Sequence, residues 1–285
     1  MKILLTGKNG QVGHELINLL SKFGNVLAVG KKDYDLTDQV AIKKLVQNFR
    51  PDVIVNPAAY TAVDEAENEK LLAKSINEIA PGILAEEAEK IGCLIIHFSS
   101  DYVFDGIKQG GYSEEDKPNP LSIYGLTKLG GELRVKENCT RHIIIRTSWI
   151  VGIHGNNFIK KILDSAKKRD NLKIVNDQFG APTSAKLLAN LTVHLIKEYL
   201  RNNQNFPFGL YHVAPSGVTN WNNYGSYVIE NARKLDNKNL IKISQNNIVP
   251  VSSSEFSVAA MRPSNSVLNT DKLQRVFDFY LPDWQ

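Results

Sequence analysis

The first thirteen residues, MKILLTGKNGQVG (1–13), pass from a short apolar run into three glycines that recur at every third position. The apolar run 3–5 is too short to span a membrane, but it suits a strand that is buried on both faces of a parallel sheet. Gly7 permits a sharp turn after this strand, and Gly13 permits the following helix to lie against it. The order of strand, glycine turn and helix predicts the start of a βαβ unit.

The glycine turn is also predicted to bind an anion. Gly10 lets backbone N–H groups approach a pyrophosphate, and the N-terminus of the next helix favours negative charge through its unpaired N–H groups and its dipole. A glycine-rich turn can be only a turn, so the preceding strand and the amphipathic stretch 15–20 strengthen the interpretation. The predicted dinucleotide-binding residues here are Gly7, Asn9, Gly10, Gln11, Val12 and Gly13.

Composition and charge are those of an ordinary soluble chain. Of 285 residues, 42% are hydrophobic and 22% charged, which allows one large or two modest domains. The net charge of +4 gathers in no basic tract, so we expect a small-molecule ligand and no nucleic-acid or membrane partner. Cys93 and Cys139 form no disulfide framework, and no Cys/His cluster has zinc spacing, so no metal is predicted. The absence of a charged leader or a long apolar stretch favours a cytoplasmic location.

Apolar runs of strand length alternate with amphipathic stretches of helical length through the first half of the chain. This pattern is typical of βαβ units, whose right-handed crossovers place helices on both faces of a parallel sheet. We therefore predict an α/β fold with a Rossmann-like, doubly wound parallel sheet that binds ligands at the carboxyl ends of its strands. The predicted strands are 2–6, 26–30, 53–56, 94–100 and 143–147, and the helices between them begin near Val12, Gln39, Glu69, Pro81 and Tyr124.

The segment after the second predicted strand, GKKDYDL (30–36), bears on the choice of cofactor. An Asp or Glu directly ending this strand would bind the free 2′-hydroxyl of NADH and repel a 2′-phosphate, but the sequence has none there. Lys31 and Lys32 would neutralise that phosphate, so NADPH is favoured, with NADH possible. Equally, the two lysines can form a solvated turn. Asp35 and Leu36 are predicted to contact the adenine side.

The loop after the third predicted strand, NPAAYT (56–61), is small and tightly turned. Its two alanines, Ala58 and Ala59, let the backbone approach a ribose or a nicotinamide. The acidic stretch 63–67 then opens a helix, where such residues compensate the helix dipole, and we assign it no chemistry.

The predicted chemistry lies after the middle of the chain, where Ser100 ends a very apolar strand and YGLTK (124–128) opens a helix. Tyr124 and Lys128 are four residues apart and share one helix face. The ammonium group, aided by an oxidised nicotinamide, is expected to stabilise the phenolate and lower the tyrosine pKa. Ser100 would bind the same carbonyl oxygen, so that a ketone is polarised while a hydride arrives and the tyrosine delivers the proton. Alternatively, the pair is an exposed aromatic and cation of the kind that many helices contain by chance.

The second half of the sequence gives fewer indications of structure and function than the first. Amphipathic helices are predicted over 155–168 and 221–235, and the loop 176–183 is rich in turn formers. Arg262, in the polar segment RPSNS (262–266), offers a bidentate fork for a diphosphate or else is a surface arginine in a turn. The serines 252–254 are interpreted as a linker, and no histidine is assigned a role.

Nine segments spread over nearly the whole chain carry a family resemblance: GKNGQVG, PDVIVNPAAYTAVDEAE, SSDYVF, YGLTK, IIIRTSWI, GNNF, NDQFGAPT, GLYHVA and RPSNSVLNT. Through them the chain resembles the dTDP-4-dehydrorhamnose reductases, a family of extended short-chain dehydrogenases/reductases. The resemblance implies NAD(P)H-dependent reduction of the 4-keto group of dTDP-4-dehydro-L-rhamnose. The product, dTDP-L-rhamnose, is a nucleotide sugar for cell-surface polysaccharide.

The resemblance also assigns residues. Tyr124 and Lys128 become the catalytic pair, and Ser100 takes the place of a hydroxyl residue, often threonine, that completes the triad. Asp101 and Trp149 resemble the residues that contact the deoxysugar. The loop residues Ala58, Ala59 and Tyr60 match a segment that lies along the cofactor.

Domain organisation and assembly are implied by the same resemblance. A dinucleotide-binding domain would comprise 1–150 with returning segments around 175–215, and 151–285 would form mainly a smaller, interleaved substrate-binding domain. Some family members form metal-bridged dimers through an acidic residue where this chain has Lys186, so a monomer or a non-metal-bridged homodimer is expected. The family pattern usually continues past 283–285 into another helix.

Two further interpretations stay open beside the keto-sugar reductase. An epimerase or dehydratase of the same fold shares the Tyr/Lys chemistry but returns the hydride to its substrate. A non-catalytic nucleotide-binding regulatory protein can keep the fold without turnover, although an intact Ser100, Tyr124 and Lys128 argue against it.

Overall fold

The computed structural model describes residues 1–236 and 240–285. Its centre is a six-stranded sheet in which all neighbouring strands are parallel, which confirms the predicted α/β fold. All five predicted strands form, with boundaries shifted by no more than two residues. The strands are β1 Lys2–Leu5, β2 Asn25–Ala28, β3 Val53–Asn56, β4 Leu94–Ser100, β5 His142–Thr147, β6 Ile150–Val151, β7 Leu172–Val175, β8 Phe179–Gly180, β9 Thr183–Ser184, β10 Gly209–Val213, β11 Thr219–Asn220 and β12 Ile248–Val251.

The strand order of the central sheet locates its ligand crevice. In space the strands run β2, β1, β3, β4, β5 and β10. The chain proceeds from β1 to β2 in one direction and from β3 to β10 in the other, so the connections diverge between β1 and β3. Loops leave the sheet in opposite directions at such a switch point and open a crevice at the carboxyl ends of the strands. The strand β10, which the sequence analysis did not identify, extends the sheet beyond β5.

The helices cover both faces of the sheet, and the first five begin within one residue of their predicted starts. A π-helical turn, Ser75–Ile79, joins the third helix to the fourth. Within residues 1–236 and 240–285, no helix combines the length and the apolar character needed to cross a membrane. The helices are α1 Gln11–Leu20, α2 Gln39–Phe49, α3 Lys70–Lys74, α4 Ala80–Ile91, α5 Ile123–Asn138, α6 Phe158–Lys168, α7 Ala185–Arg201, α8 Trp221–Lys234 and α9 Asp271–Phe277.

The strand β1 shows why the sheet is apolar on both faces. Ile3 and Leu5 belong to the core beneath α1 and α7, whereas Leu4 belongs to the opposite core beneath α2 and α4. All three side chains are completely buried. Continuous apolar strands are the expected consequence of covering a parallel sheet with helices on both sides.

A third, smaller core lies outside the sheet and is formed by α6, α8, β7 and β12. Between these elements the chain returns to the sheet, because α7 packs against α1 and β10 pairs with β5. The helix α6 begins at Phe158 rather than at the predicted residue 155, because the Asn157 side chain caps it by accepting from the Lys160 N–H at 3.1 Å. The core side chains are Ile162, Ala166, Leu172, Ile174, Ile229, Ile243 and Ile248.

Two sequence interpretations of connecting segments were wrong. The serines 252–254 are not a free linker, since Asp177 Oδ2 accepts from Ser252 Oγ at 2.9 Å and from the Ser253 N–H at 2.8 Å. The turn-rich stretch 176–183 contains the short strands β8 and β9, which pair with β11 and β6. In both cases the ordering partners are more than thirty positions away along the chain, so local composition did not reveal them.

Candidate active site

A cleft of about 610 Å³ opens at the switch point, beyond the carboxyl ends of β1, β2 and β3. Its volume is typical of a site for a cofactor-sized ligand. Three of the predicted cofactor residues, Tyr60, Tyr124 and Lys128, lie outside its lining, whereas Tyr34, Thr37, Ile150 and Asn156 line it without having been predicted. Eleven of the predicted cofactor residues line the cleft: Gly7, Asn9, Gly10, Gln11, Val12, Gly13, Lys31, Asp35, Leu36, Ala58 and Ala59.

The glycine turn has the geometry that its sequence predicts. Gly7 adopts φ +62°, and a Cβ there would lie only 2.9 Å from Ala58 Cα. A Cβ on Gly13 would overlap the carbonyl oxygen of Gly7, so a side chain at Gly13 would force the turn and α1 apart, whereas one at Gly7 would push the turn away from the loop of Ala58. Because Gly10 is the N-cap residue of α1, the helix has no side-chain cap, and its first N–H groups suit an anionic ligand. The donor set of this cleft therefore fits the diphosphate of a dinucleotide.

The loop after β2 places opposite charges at the far end of the cleft. Lys31 lines the cleft and Lys32 does not. Asp33 accepts from the Gly30 N–H at 2.7 Å and forms an ion pair with Lys8 Nζ at 2.7 Å. The lysine beside it holds the pKa of Asp33 below its usual value. The lysine pair is apparent in the sequence, whereas the compensation of Asp33 by Lys8 of the glycine turn depends on the fold.

Asn77 connects the cofactor loop to the helix that carries the predicted chemistry. Its Oδ1 accepts from the Tyr60 N–H at 2.8 Å, and its Nδ2 donates to the Tyr60 carbonyl at 3.1 Å and to Thr127 Oγ1 at 3.2 Å. Asn77 is completely buried within the π-helical turn. Such turns commonly occur at functional sites. The phenol of Tyr60 donates to Glu69 Oε2 at 2.6 Å, which raises its pKa to about 12.

The predicted catalytic residues meet where β4 ends and α5 begins. The helix starts at Ile123 because Ser122 caps it, accepting from the Gly125 N–H at 3.2 Å. Tyr124 and Lys128 lie one turn apart on the face that packs against β4. The Ser100 hydroxyl donates to Asp101 Oδ1 at 2.9 Å and lies near enough to the Tyr124 phenol to influence its pKa. The structure thus brings together the three side chains that the sequence separates by up to 28 positions.

The protonation expected of this group from sequence was wrong in one respect. Burial raises the pKa of Tyr124 to about 12, an effect to which the nearby Asp101 adds and which the neighbouring Ser100 hydroxyl only partly offsets. Lys128 does not donate to the phenol; its Nζ donates to the Phe98 carbonyl at 2.6 Å. Burial lowers the pKa of Lys128 to about 8. Desolvation disfavours the charged form of each group, and here it outweighs their mutual attraction.

Asp101, one of the predicted substrate residues, is buried beside the triad. Its Oδ1 accepts from Ser100 Oγ at 2.9 Å, and its Oδ2 has no hydrogen-bond partner among the described residues. Burial raises the pKa of this carboxyl to about 6. A buried oxygen without a partner is costly, and such atoms commonly mark a place where a ligand binds.

Trp149, the second predicted substrate residue, is held in an unusual conformation. Its backbone has φ +46°, which is rare for a bulky side chain. Its ring stacks on Trp221 at 3.7 Å, and a Cβ on Gly180 would lie 2.9 Å from it. The aromatic stack and the glycine together explain how this conformation is maintained.

Arg262, which was also predicted to bind the substrate, forms an ion pair with Asp64 and is not a free cation. Its Nη2 and Nη1 donate to the two carboxylate oxygens of Asp64 at 2.6 and 3.2 Å. Asp64 also accepts from the Ala260 N–H at 3.1 Å, so it ties the C-terminal segment to the loop after β3. The acidic stretch 63–67 therefore does more than compensate a helix dipole, as the sequence analysis assumed. The partners are 198 positions apart, and the sequence carries no signal of their pairing.

The parallel sheet, the glycine turn and the Ser100–Tyr124–Lys128 group are those of an extended short-chain dehydrogenase/reductase. A family model described as RmlD substrate binding domain matches residues 1–285. A dTDP-4-dehydrorhamnose reductase of Escherichia coli strain K12 is 45% identical over 100% of this chain and 95% of that protein. The chain therefore belongs to the RmlD family of dTDP-4-dehydrorhamnose reductases, as predicted.

Solved structures agree with this assignment. A dTDP-4-dehydrorhamnose reductase from Clostridium acetobutylicum has a TM-score of 0.90 at 35% identity, covering 100% of this chain and 95% of that one. A dTDP-4-dehydrorhamnose reductase from Bacillus anthracis, solved in complex with NADP, has a TM-score of 0.88 at 33% identity. The match covers 99% of this chain and 95% of that one.

Proposed function

We propose that this protein reduces the 4-keto group of dTDP-4-dehydro-L-rhamnose with NADPH and releases dTDP-L-rhamnose. The observation that carries the proposal is the meeting of Ser100, Tyr124 and Lys128 where β4 ends and α5 begins, with Asn77 connecting α5 to the loop of the dinucleotide cleft. Membership of a reductase family and a relative solved with NADP support the same reaction.

The residues of the glycine turn and the loop of Ala58 and Ala59 would hold the dinucleotide, and its nicotinamide would supply a hydride. Tyr124 is the proposed proton donor to the carbonyl oxygen of the substrate. Burial keeps its phenol protonated near neutral pH, which is the form that a proton donor requires. Ser100 would direct the same oxygen, and the Lys128 ammonium would stabilise the phenolate as it forms.

The substrate side is proposed to use Asp101, Trp149 and Arg262. The unpaired Oδ2 of Asp101 would accept from a sugar hydroxyl. Trp149 would provide an apolar wall for the deoxysugar. Since Asp64 compensates the charge of Arg262, we propose that this guanidinium gives hydrogen bonds to the diphosphate rather than net charge.

Incubation with dTDP-4-dehydro-L-rhamnose and NADPH, followed at 340 nm, tests the function. Stoichiometric loss of NADPH with formation of dTDP-L-rhamnose is the expected result. An epimerase or dehydratase would convert its sugar without net NADPH consumption. A regulatory protein would bind nucleotide and leave both reactants unchanged.

The domain organisation, the cellular location and the assembly of the protein are further proposals. We propose a dinucleotide-binding domain of 1–150 with returning segments around 175–215, and a substrate-binding domain mainly in 151–285. The separate core of α6, α8, β7 and β12 supports this division, while Leu273, Phe277 and Leu281 pack in the core of the sheet. A cytoplasmic location and a monomer or a non-metal-bridged homodimer are proposed as well, the latter because of Lys186, which is exposed.

A further inference from the structure

The helix α5 carries a third buried polar residue in line with the two catalytic ones. Tyr124, Lys128 and Glu132 follow one another at intervals of four, so they lie on the same face of the helix. Glu132 is 4% exposed, which is rare for a glutamate without a strong partner. Neither the predicted triad nor the proposed reaction accounts for it.

The end of β4 contacts this face in three places. The Phe98 carbonyl accepts from Lys128 at 2.6 Å, Ser99 Oγ donates to Glu132 Oε1, and the Ser100 hydroxyl lies near Tyr124. Hydrogen bonds to two successive residues of one strand therefore hold Lys128 and Glu132. A shift of Glu132 along the helix face would be transmitted to the turn that carries Lys128.

A buried arginine clamps the glutamate from the neighbouring strand. Arg146 lies opposite Ser99 in the register of β4 and β5. Its Nε and Nη2 donate to Glu132 Oε1 and Oε2 at 2.9 and 2.6 Å, in a bidentate pair. Arg146 Nη1 donates to His212 Nε2 at 3.4 Å, so the other nitrogen, Nδ1, carries the proton and donates to a backbone carbonyl at 3.0 Å. His212 is thus neutral, and the charged members of this buried network are one carboxylate and one guanidinium.

The charge of Glu132 affects the protonation of Lys128. The titratable groups that face Lys128 are Glu132 and Tyr124 on its own helix and His97 on β4. His97 is buried with its Nδ1 beside Asn56 Nδ2 at 3.0 Å, and burial holds its pKa far below the usual value, so it is uncharged. Glu132 is therefore the anion that opposes the desolvation of the ammonium.

We propose that Glu132 is a positioning residue for the reaction: clamped by Arg146 and Ser99 one helical turn from Lys128, its carboxylate favours the ammonium form of the lysine that shares this face with Tyr124. The inference rests on the proposed function only for the consequence in turnover. The state of Lys128 itself can be measured without any substrate.

The variants separate this role from plain structural support. Glu132→Gln retains the shape but leaves the Arg146 charge buried without its partner, which should destabilise the fold strongly. The double variant Glu132→Gln/Arg146→Gln removes both charges and should regain most of that stability. Glu137→Gln, at an exposed position of the same helix, is the matched control for loss of a carboxylate.

The decisive measurement is the pH titration of Lys128 by ¹⁵N NMR of lysine-labelled protein, with the signal assigned from its loss in Lys128→Met. In the double variant the titration midpoint should fall relative to the wild type, because Glu132 acts on Lys128 more strongly than Arg146 does, and in Glu137→Gln it should stay in place. The alkaline limb of kcat should move to lower pH with it, while KM for the keto sugar changes little. An unchanged midpoint in the double variant, or an equal fall in Glu137→Gln, would overturn the proposal. Failure of the wild type to reduce the keto sugar would instead refute the proposed function and leave the NMR comparison decisive for Glu132.

Discussion

Asn157 donates a hydrogen bond from Nδ2 to Gln11 Oε1 at 2.9 Å, across 146 positions of the chain. Gln11 belongs to the glycine turn, whereas Asn157 caps α6, the first helix of the smaller core. The same Asn157 amide donates to the Gly152 carbonyl at 2.7 Å. One buried side chain thus joins the proposed diphosphate site to the part of the chain that is proposed to bind the sugar.

The variant Asn157→Asp tests this connection, because a carboxylate still caps α6 but no longer donates to Gln11. We expect the affinity for NADPH to fall several-fold, with a loss of stability on the order of 1 kcal/mol from the missing hydrogen bonds. Fluorescence titration with NADPH and urea unfolding measure the two effects. Asn18→Asp, at an exposed position of α1 outside the cleft, controls for the added carboxylate; an equal loss of affinity in both variants would contradict the coupling.

We predict that the preference for NADPH over NADH depends on Lys31 and not on Lys32, because only Lys31 lines the cleft. Lys31→Ala should weaken NADPH by up to about fivefold, the range of an exposed ion pair, and leave NADH nearly unchanged. Lys32→Ala is the matched control and should alter neither. The dissociation constants of both cofactors, measured at low salt, decide the matter, and parallel losses for NADPH and NADH would show that Lys31 does not contact the 2′-phosphate.

The phenol of Tyr124 is predicted to be the proton donor. Tyr124→Phe should lower kcat by roughly 100 to 10,000-fold, the usual range for a lost general acid, without weakening NADPH binding. Steady-state kinetics and cofactor titration provide the two numbers. Because burial raises the pKa of Tyr124 to about 12 and lowers that of Lys128 to about 8, the wild-type reduction rate should decline on the alkaline side near the lower value. Near-normal turnover in the phenylalanine variant would exclude the role.

The sequence predicted those parts of the site that depend on local pattern. The glycine turn and the four-residue spacing of Tyr124 and Lys128 are patterns within a few consecutive residues. A parallel sheet brings both to the edge formed by the carboxyl ends of its strands. The pairs that complete the site are non-local. Asp64 and Arg262 are 198 positions apart, and each residue alone looks like an ordinary surface charge.

The backbone conformation of Trp149 and the desolvation of Tyr124 also could not be predicted from the sequence. The left-handed φ of Trp149 is unfavourable for a bulky residue, so it exists only because Trp221 and Gly180 enclose the ring. The raised pKa of Tyr124 follows from burial, whose extent is a property of the packed site. The strand β10 was missed because its pairing with β5 depends on a chain return that composition does not indicate.

Assembly is predicted to be independent of divalent metal, because Lys186 occupies the position where metal-bridged family members carry an acid. An ammonium group is only a donor and repels a cation, whereas Mg²⁺ requires oxygen ligands. Sedimentation velocity with magnesium and then with EDTA should give the same molecular mass. Dissociation of a dimer on addition of EDTA would refute the prediction, and Lys186→Glu shows whether this one charge decides the behaviour.

The carboxyl of Asp101 is predicted to reduce stability in exchange for function. Its folded-state pKa, about 6, lies above the ordinary value of 3.8, so the native state binds more protons between these values and stability falls as pH rises through them. Asp101→Asn removes this cost and should raise the free energy of unfolding at pH 7 by on the order of 1 to 3 kcal/mol, with little difference at pH 3.5, where the carboxyl is protonated in both states. The same variant should raise KM for the keto sugar, because a donating amide replaces the Oδ2 acceptor that lacks a partner. Urea unfolding at the two pH values, together with steady-state kinetics, makes the comparison, and a stability gain of equal size at pH 3.5 and pH 7 would show that ionisation of Asp101 is not its source.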